Sequence, residues 1–141
     1  MADPLERLET ALRGCADAVL ETASRRIADA GLRRFRAGFR RGVDVYGRPW
    51  IPPKDGHRPP MVRTGNLRDN YLYWCRRTGR GMSITWTNGA AYSEPLVKGT
   101  GKMRPRPHMP LPSAPPPPEL LAIVQGESDA ALAAYWSKVR I

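Results

Sequence analysis

Apolar residues recur at steps of three and four over the first segment of the chain: Leu5, Leu8, Leu12, Cys15, Ala16, Val19, Leu20, Ala23, Ile27 and Ala30, then Leu32, Phe35 and Phe39. That spacing lays one stripe along a 3.6-residue repeat and predicts a single long helix. Asp3 precedes Pro4 and stands three before Glu6, so an N-cap, a proline at the first helical position and a capping-box partner all predict a start near residue 4. A helix of about 35 residues would be about 50 Å long. One small body does not need that length, and part of the stripe is expected to face a neighbouring subunit. Gly31 and Gly38 are expected to bend or interrupt it, at about 1 kcal/mol each.

The remaining segments are short. With 141 residues the chain has room for one domain. Residues 42–66 have no sustained period, and Pro49, Pro52, Pro53, Pro59 and Pro60 forbid a continuous helix or central strand, so a long loop is expected. Within 67–99, Tyr71, Tyr73 and Cys75 alternate with Leu72 and Trp74. A turn at Thr78-Gly79-Arg80-Gly81 leads to Met82, Ile84 and Trp86 alternating with Ser83, Thr85 and Thr87. This predicts a β-hairpin covered by the helix, with Tyr71, Tyr73, Trp74 and Trp86 as sheet core, not a base-stacking platform. A short helix or turn follows between Ala90 and Val97, ended by Lys98-Gly99.

Residues 100–118 read as a basic, proline-rich arm whose end, Pro115 to Pro118, acts as a stiff spacer. Residues 119–141 read as a C-terminal helix with Leu121, Val124, Leu132, Tyr135, Trp136 and Val139 buried and Gly126 as its weak point. The fold class is therefore α+β: a long N-terminal helix packed on a small antiparallel β-sheet, with a C-terminal helix and extended proline-rich loops.

Net charge is +10, and its distribution is uneven. Residues 1–41 carry 9 basic and 6 acidic side chains, 42–110 carry 12 and 4, and 111–141 carry 2 and 3. Such a field favours phosphate or acidic protein partners. Arg33, Arg34, Arg36, Arg40 and Arg41 crowd the end of the first helix. They read either as a solvated face suited to the helix dipole or as contacts to DNA or an acidic partner.

Enzymatic chemistry finds little footing. His57 and His108 lack partners at metal-ligand spacing. Lys98-Gly99-Thr100-Gly101-Lys102 departs from a phosphate loop at Leu96 and Met103. Asp44, Asp55, Asp69 and Glu94 are too scattered for a two-metal nuclease, and no G-x-S-x-G elbow occurs. No catalytic residue, cofactor or metal is expected. No run of about 18 apolar residues suggests a membrane span, and the N-terminus has no basic region followed by an apolar run. Cys15 and Cys75 are expected to be reduced thiols in a cytoplasmic setting.

Four signatures occur in one order: Gly47-Arg48-Pro49-Trp50-Ile51-Pro52, Arg63-Thr64-Gly65-Asn66-Leu67, Tyr92 with Gly99, and Arg104-Pro105-Arg106-Pro107-His108-Met109-Pro110. With the two flanking helices, this resembles the tail-completion or neck protein family of long-tailed bacteriophages, over nearly the whole chain. Ser93, Leu96, His108 and Asn70 depart from that family's usual residues. The resemblance implies a virion protein, made in the host cytoplasm, that forms a homo-oligomeric ring, commonly a hexamer, between the head connector and the tail-terminator or tail-tube proteins. On this basis Trp50, Arg63, Tyr92, Lys98, Lys102, Arg104, Arg106, His108 and Met109 are candidate interface residues. Arg33, Arg34, Arg36, Arg40 and Arg41 are candidates for DNA in the channel or for acidic partners. The alternative is a small nucleic-acid-binding module, indifferent to base sequence, that uses the Arg33 to Arg41 run and the central basic segment.

Overall fold

The computed structural model describes residues 3–50, 66–99, 101, 105–111 and 114–139. Helix α1 (Pro4–Arg41) starts where the capping residues predict, with the Asp3 carboxylate accepting from the Glu6 amide at 2.9 Å. It ends at Gly42, which adopts a left-handed φ of 70° and returns its amide to the Gly38 carbonyl. Then come a one-turn helix α2 (Asn66–Asp69), strands β1 (Tyr71–Thr78) and β2 (Gly81–Asn88), a short helix α3 (Ser93–Lys98) and helix α4 (Pro118–Lys138). The α+β class is as the sequence predicts; α2 falls where no separate element is expected.

Gly31 and Gly38 do not break α1. They are where other segments approach it. A β-carbon on Gly31 would lie 2.8 Å from the Trp86 ring, and one on Gly38 would lie 2.7 Å from the Val43 carbonyl oxygen. Trp86 fits this slot with its indole N–H donated to the Ala28 carbonyl at 3.0 Å.

The hairpin pairs Tyr71 with Asn88 through Thr78 with Gly81, so Tyr71, Tyr73 and Cys75 share a face with Met82, Ile84 and Trp86. That face lies on α1. Phe35, Phe39, Val45, Leu67, Tyr71 and Ala90 form the main core, and Ala23, Ile27 and Ala131 form a second one on the side of α4; Trp86 packs against both. Helix α4 runs antiparallel to α1, as three pairs show: Glu119 with Arg34, Glu127 with Arg26, and the Tyr135 hydroxyl with the Ala11 carbonyl.

Three expectations are corrected. Trp74 is 52% exposed, because the pleat turns it to the face opposite Tyr71 and Tyr73. On α4, Leu121, Val124 and Leu132 are exposed, and the helix meets α1 instead through Ile123 and Ala131; Tyr135, Trp136 and Val139 are half-buried. The phase is set by Ile123 and Ala131, which meet Ala23 and Ile27 of α1. Finally, the tract before α4 is not a free spacer, since Pro117 is fully buried and its carbonyl accepts from the Leu120 and Leu121 amides.

The glycines give opposite expectations. Gly31→Ala should destabilise the fold by about 1–3 kcal/mol, because overpacking against Trp86 exceeds the gain in helix propensity. Gly126→Ala, in open space within α4, should stabilise by up to about 1 kcal/mol. Urea midpoints of the two variants check both signs.

Candidate functional site

The described part of the proline-rich arm is folded onto its own body. The Arg106 amide donates to the Leu96 carbonyl at 2.6 Å, the Val45 amide to the Pro107 carbonyl at 3.2 Å, and the Leu111 amide to the Tyr46 hydroxyl at 2.9 Å. Its centre is His108, only 1% exposed. The ring Nδ1 lies 2.7 Å from the Tyr71 hydroxyl and Nε2 lies 3.0 Å from the Ser93 hydroxyl. A neutral imidazole has one donor and one acceptor nitrogen, and either hydroxyl fills either role, so both nitrogens are satisfied.

This trio is a brace and not a nucleophile relay. Burial pushes the His108 pKa down to about 4, with a hydrogen bond at Ser93 opposing it. Burial also raises the pKa of the Tyr71 hydroxyl, which therefore stays neutral. A serine–histidine relay needs a basic imidazole and an anion to steady its charged form. Among the described residues neither is supplied. His108 thus leaves the set of candidate surface contacts, because the arm uses it to close the core.

Trp50 is likewise a core plug. It is 5% exposed, packs on Phe39 with ring centroids 6.3 Å apart, and its indole N–H donates to the Gly38 carbonyl at 3.3 Å. The loop bearing it is organised by Asp44, 6% exposed, whose carboxylate accepts the Tyr46 and Arg48 amides at 2.9 Å each. Arg34 ties this loop to α4. Buried at 9% exposure, it ion-pairs with Glu119 and donates Nη2 to the Asp44 carbonyl at 3.1 Å. Its Nη1 has no partner among the described residues. Arg34 is therefore a structural cation, withdrawn from any channel lining. Burial works against the Glu119 charge, but the Arg34 and Arg41 guanidiniums outweigh it and hold that carboxyl below its ordinary range.

Other candidates remain at the surface. Tyr92 is 44% exposed and accepts a long hydrogen bond from Asn66 at 3.5 Å. Lys98 is exposed and paired with Glu94 at 2.6 Å. Arg106 and Met109 are half-buried, Met109 against the main core. Arg63, Lys102 and Arg104 lie outside the described residues. Arg41 is 3.6 Å from Glu119.

Arg33, Arg36 and Arg40 are exposed, and their spacing of three and four puts them on one face of the last turns of α1. They carry no ion pair among the described residues. Arg36 reaches Asp69 only through its field. The reason is a shortage of acids. Every described carboxylate but that of Glu6 has a hydrogen-bond or ion-pair partner inside the chain. Among the described residues, no carboxylate is left over to pair with this stripe.

Among the described residues, no three His, Cys, Asp or Glu side chains group to hold a metal ion, and no helix is long and apolar enough to cross a membrane. No family model, curated protein or solved structure matches this chain.

Burial of a neutral imidazole has a pH consequence. Between its folded pKa of about 4 and the ordinary 6.5, the unfolded chain binds the His108 proton and the folded chain does not. Stability should thus be full above pH 6.5 and fall by up to about 3 kcal/mol as pH drops towards 4. Urea midpoints between pH 7 and 4.5 should show this loss in the wild-type chain and a flatter profile in His108→Asn, which is less stable at pH 7.

Proposed function

We propose that this chain is a non-enzymatic virion protein of a tailed-phage neck or tail terminus, assembling with its own copies into a ring that completes the tail and joins it to the head connector. Exposed apolar side chains on the two long helices carry this assignment. Leu5 is 72% exposed and Leu12 56% on α1; Leu121, Val124 and Leu132 are exposed on α4. The helices have already used Ala23, Ile27 and Ala131 to pack on each other, so these five leucine and valine side chains await another surface. The order of the four sequence signatures supports the same role.

The contact surface is not the one first expected. A reaching arm is replaced by one that closes its own core over residues 105–111, which moves the proposed subunit contact to the helices. A head-to-tail ring needs two different surfaces that meet by rotation, and the outer sides of α1 and α4 are such a pair. The Arg33, Arg36 and Arg40 stripe faces an adjacent acidic ring or the phosphates of DNA in the channel. That stripe also favours the second reading, a nucleic-acid-binding module indifferent to base sequence, for which salt should weaken binding steeply.

The double variant Leu12→Glu, Leu132→Glu should fold with an unchanged urea midpoint, because both side chains are exposed. It should remain monomeric and leave heads and tails unjoined, whereas the wild-type chain self-associates or co-assembles. Mass measurement of purified protein and of neck complexes reads the difference. A wild-type monomer absent from particles overturns the assembly role. Removing residues 100–112 is not a clean test of a docking arm, since it takes His108 from the core and should unfold the body.

A further inference from the structure

The hairpin face turned away from α1 has no cover among the described residues. From β1 it presents Leu72, 61% exposed, Trp74, 52% exposed, and Arg76; from β2 it presents Ser83, Thr85 and Thr87, with Arg80 at the turn. None of these side chains is a carboxylate; at the far end from Arg76, half-buried Thr87 shares a depression with the Glu94–Lys98 pair. Arg76 and Arg80 carry no ion pair among the described residues, while Arg77, on the other face, is held by Asp17.

We infer that this face is a platform for single-stranded nucleic acid, with a base stacked on Trp74 and the backbone phosphate held by Arg76. A half-exposed indole offers a π-face to any base, and unpaired arginines beside it supply the charge that phosphates require. Trp74 and Arg76 stand two residues apart on one face, about 7 Å, comparable to the distance from a base to the phosphate of the same nucleotide. Thr85 is directly opposite Trp74, and Ser83 is opposite Arg76, where its hydroxyl donates to the Arg76 carbonyl at 3.5 Å. Duplex DNA keeps its bases stacked inside and would use only the arginines.

Charge complementarity sets the choice of occupant. A second copy brings a net charge of +10 with its described carboxylates almost all engaged, and a self-complementary contact at this face would set arginine against arginine. A stable protein interface buries about 800 Å² on each partner, and two large apolar side chains among hydroxyls and guanidiniums are a thin centre for one. A polyanion with exposed aromatic bases meets both the indole and the guanidiniums of the face. The inference concerns a surface distinct from the α1 and α4 flanks and holds whether or not those build a ring.

The probe is a fluorescein-labelled oligo(dT) strand of about 12 nucleotides, titrated with the full chain and followed by anisotropy at several salt concentrations. Binding should weaken as salt rises. Trp74→Ala should weaken it about tenfold, Trp74→Phe should retain most of it, and Arg76→Ala should lower the salt slope by about 0.7. Unchanged urea midpoints establish that these surface variants stay folded. A duplex of the same length should bind more weakly and be indifferent to Trp74→Ala. The inference is overturned if oligo(dT) does not bind, or if Trp74→Ala binds as tightly as wild type. It is equally overturned if only the triple change Arg33→Ala, Arg36→Ala, Arg40→Ala removes binding. It also falls if Trp74→Ala blocks particle completion with no effect on oligo(dT), which would assign the face to a protein.

Discussion

Phe35 and Phe39 are the point on which the body converges. Both are almost wholly buried, and no single neighbour could cover two phenyl rings on one side of a helix. Tyr71 packs on both, Trp86 meets Phe35 edge-on at 5.6 Å, and Trp50 and His108 close around Phe39 at 6.3 and 6.2 Å. The hairpin, the loop after α1 and the proline-rich arm are thereby brought to one place. A two-stranded hairpin is marginal by itself in water. Here it holds because its inner face completes this cluster.

The same convergence explains why polar groups are buried. An arm of prolines has few amides with which to join a sheet, so its attachment depends on side chains and on scattered carbonyls. His108 provides two hydrogen bonds from one ring, and the neutral state that burial imposes avoids an unpaired charge in the core. Arg34 is the opposite case. It remains a cation, so Glu119 and the Asp44 carbonyl must attend it, and those contacts fix where α4 begins and how the loop at 43–50 leaves α1.

Elements with a strong local period were legible in the sequence. Asp3 and Pro4 mark the start of α1 because capping acts within a single turn, and the alternation around Thr78-Gly79-Arg80-Gly81 gives the hairpin its register. Side-chain destinations were less legible. Arg34 stands three after Gly31 and four before Gly38, on the phase of the buried stripe, yet within a cluster of arginines it reads as surface. Trp74 has the parity of Leu72, which puts it outside; aromatic character alone suggests core. His108 gives no local signal, because its partners are 37 and 15 residues away. The phase of α4 was hidden for another reason. Apolar residues lie on two sides of it, Ile123 and Ala131 on one and Leu121, Val124 and Leu132 on the other, and only packing on α1 selects the first.

That selection bears on function. Had α4 buried Leu121, Val124 and Leu132 against α1, the contact through Ala23, Ile27, Ile123 and Ala131 would have been lost and those three side chains hidden within the pair. The sequence instead keeps Leu121, Val124 and Leu132 on the outside of α4, while Arg33, Arg36 and Arg40, without ion pairs among the described residues, gather in the last turns of α1 near the start of α4. Exposed apolar area favours association, and a surplus of like charge opposes association between identical faces. In the proposed ring, contact between different faces of successive copies would reconcile the two, since it would join leucine surfaces while leaving each arginine stripe open to a partner that carries negative charge.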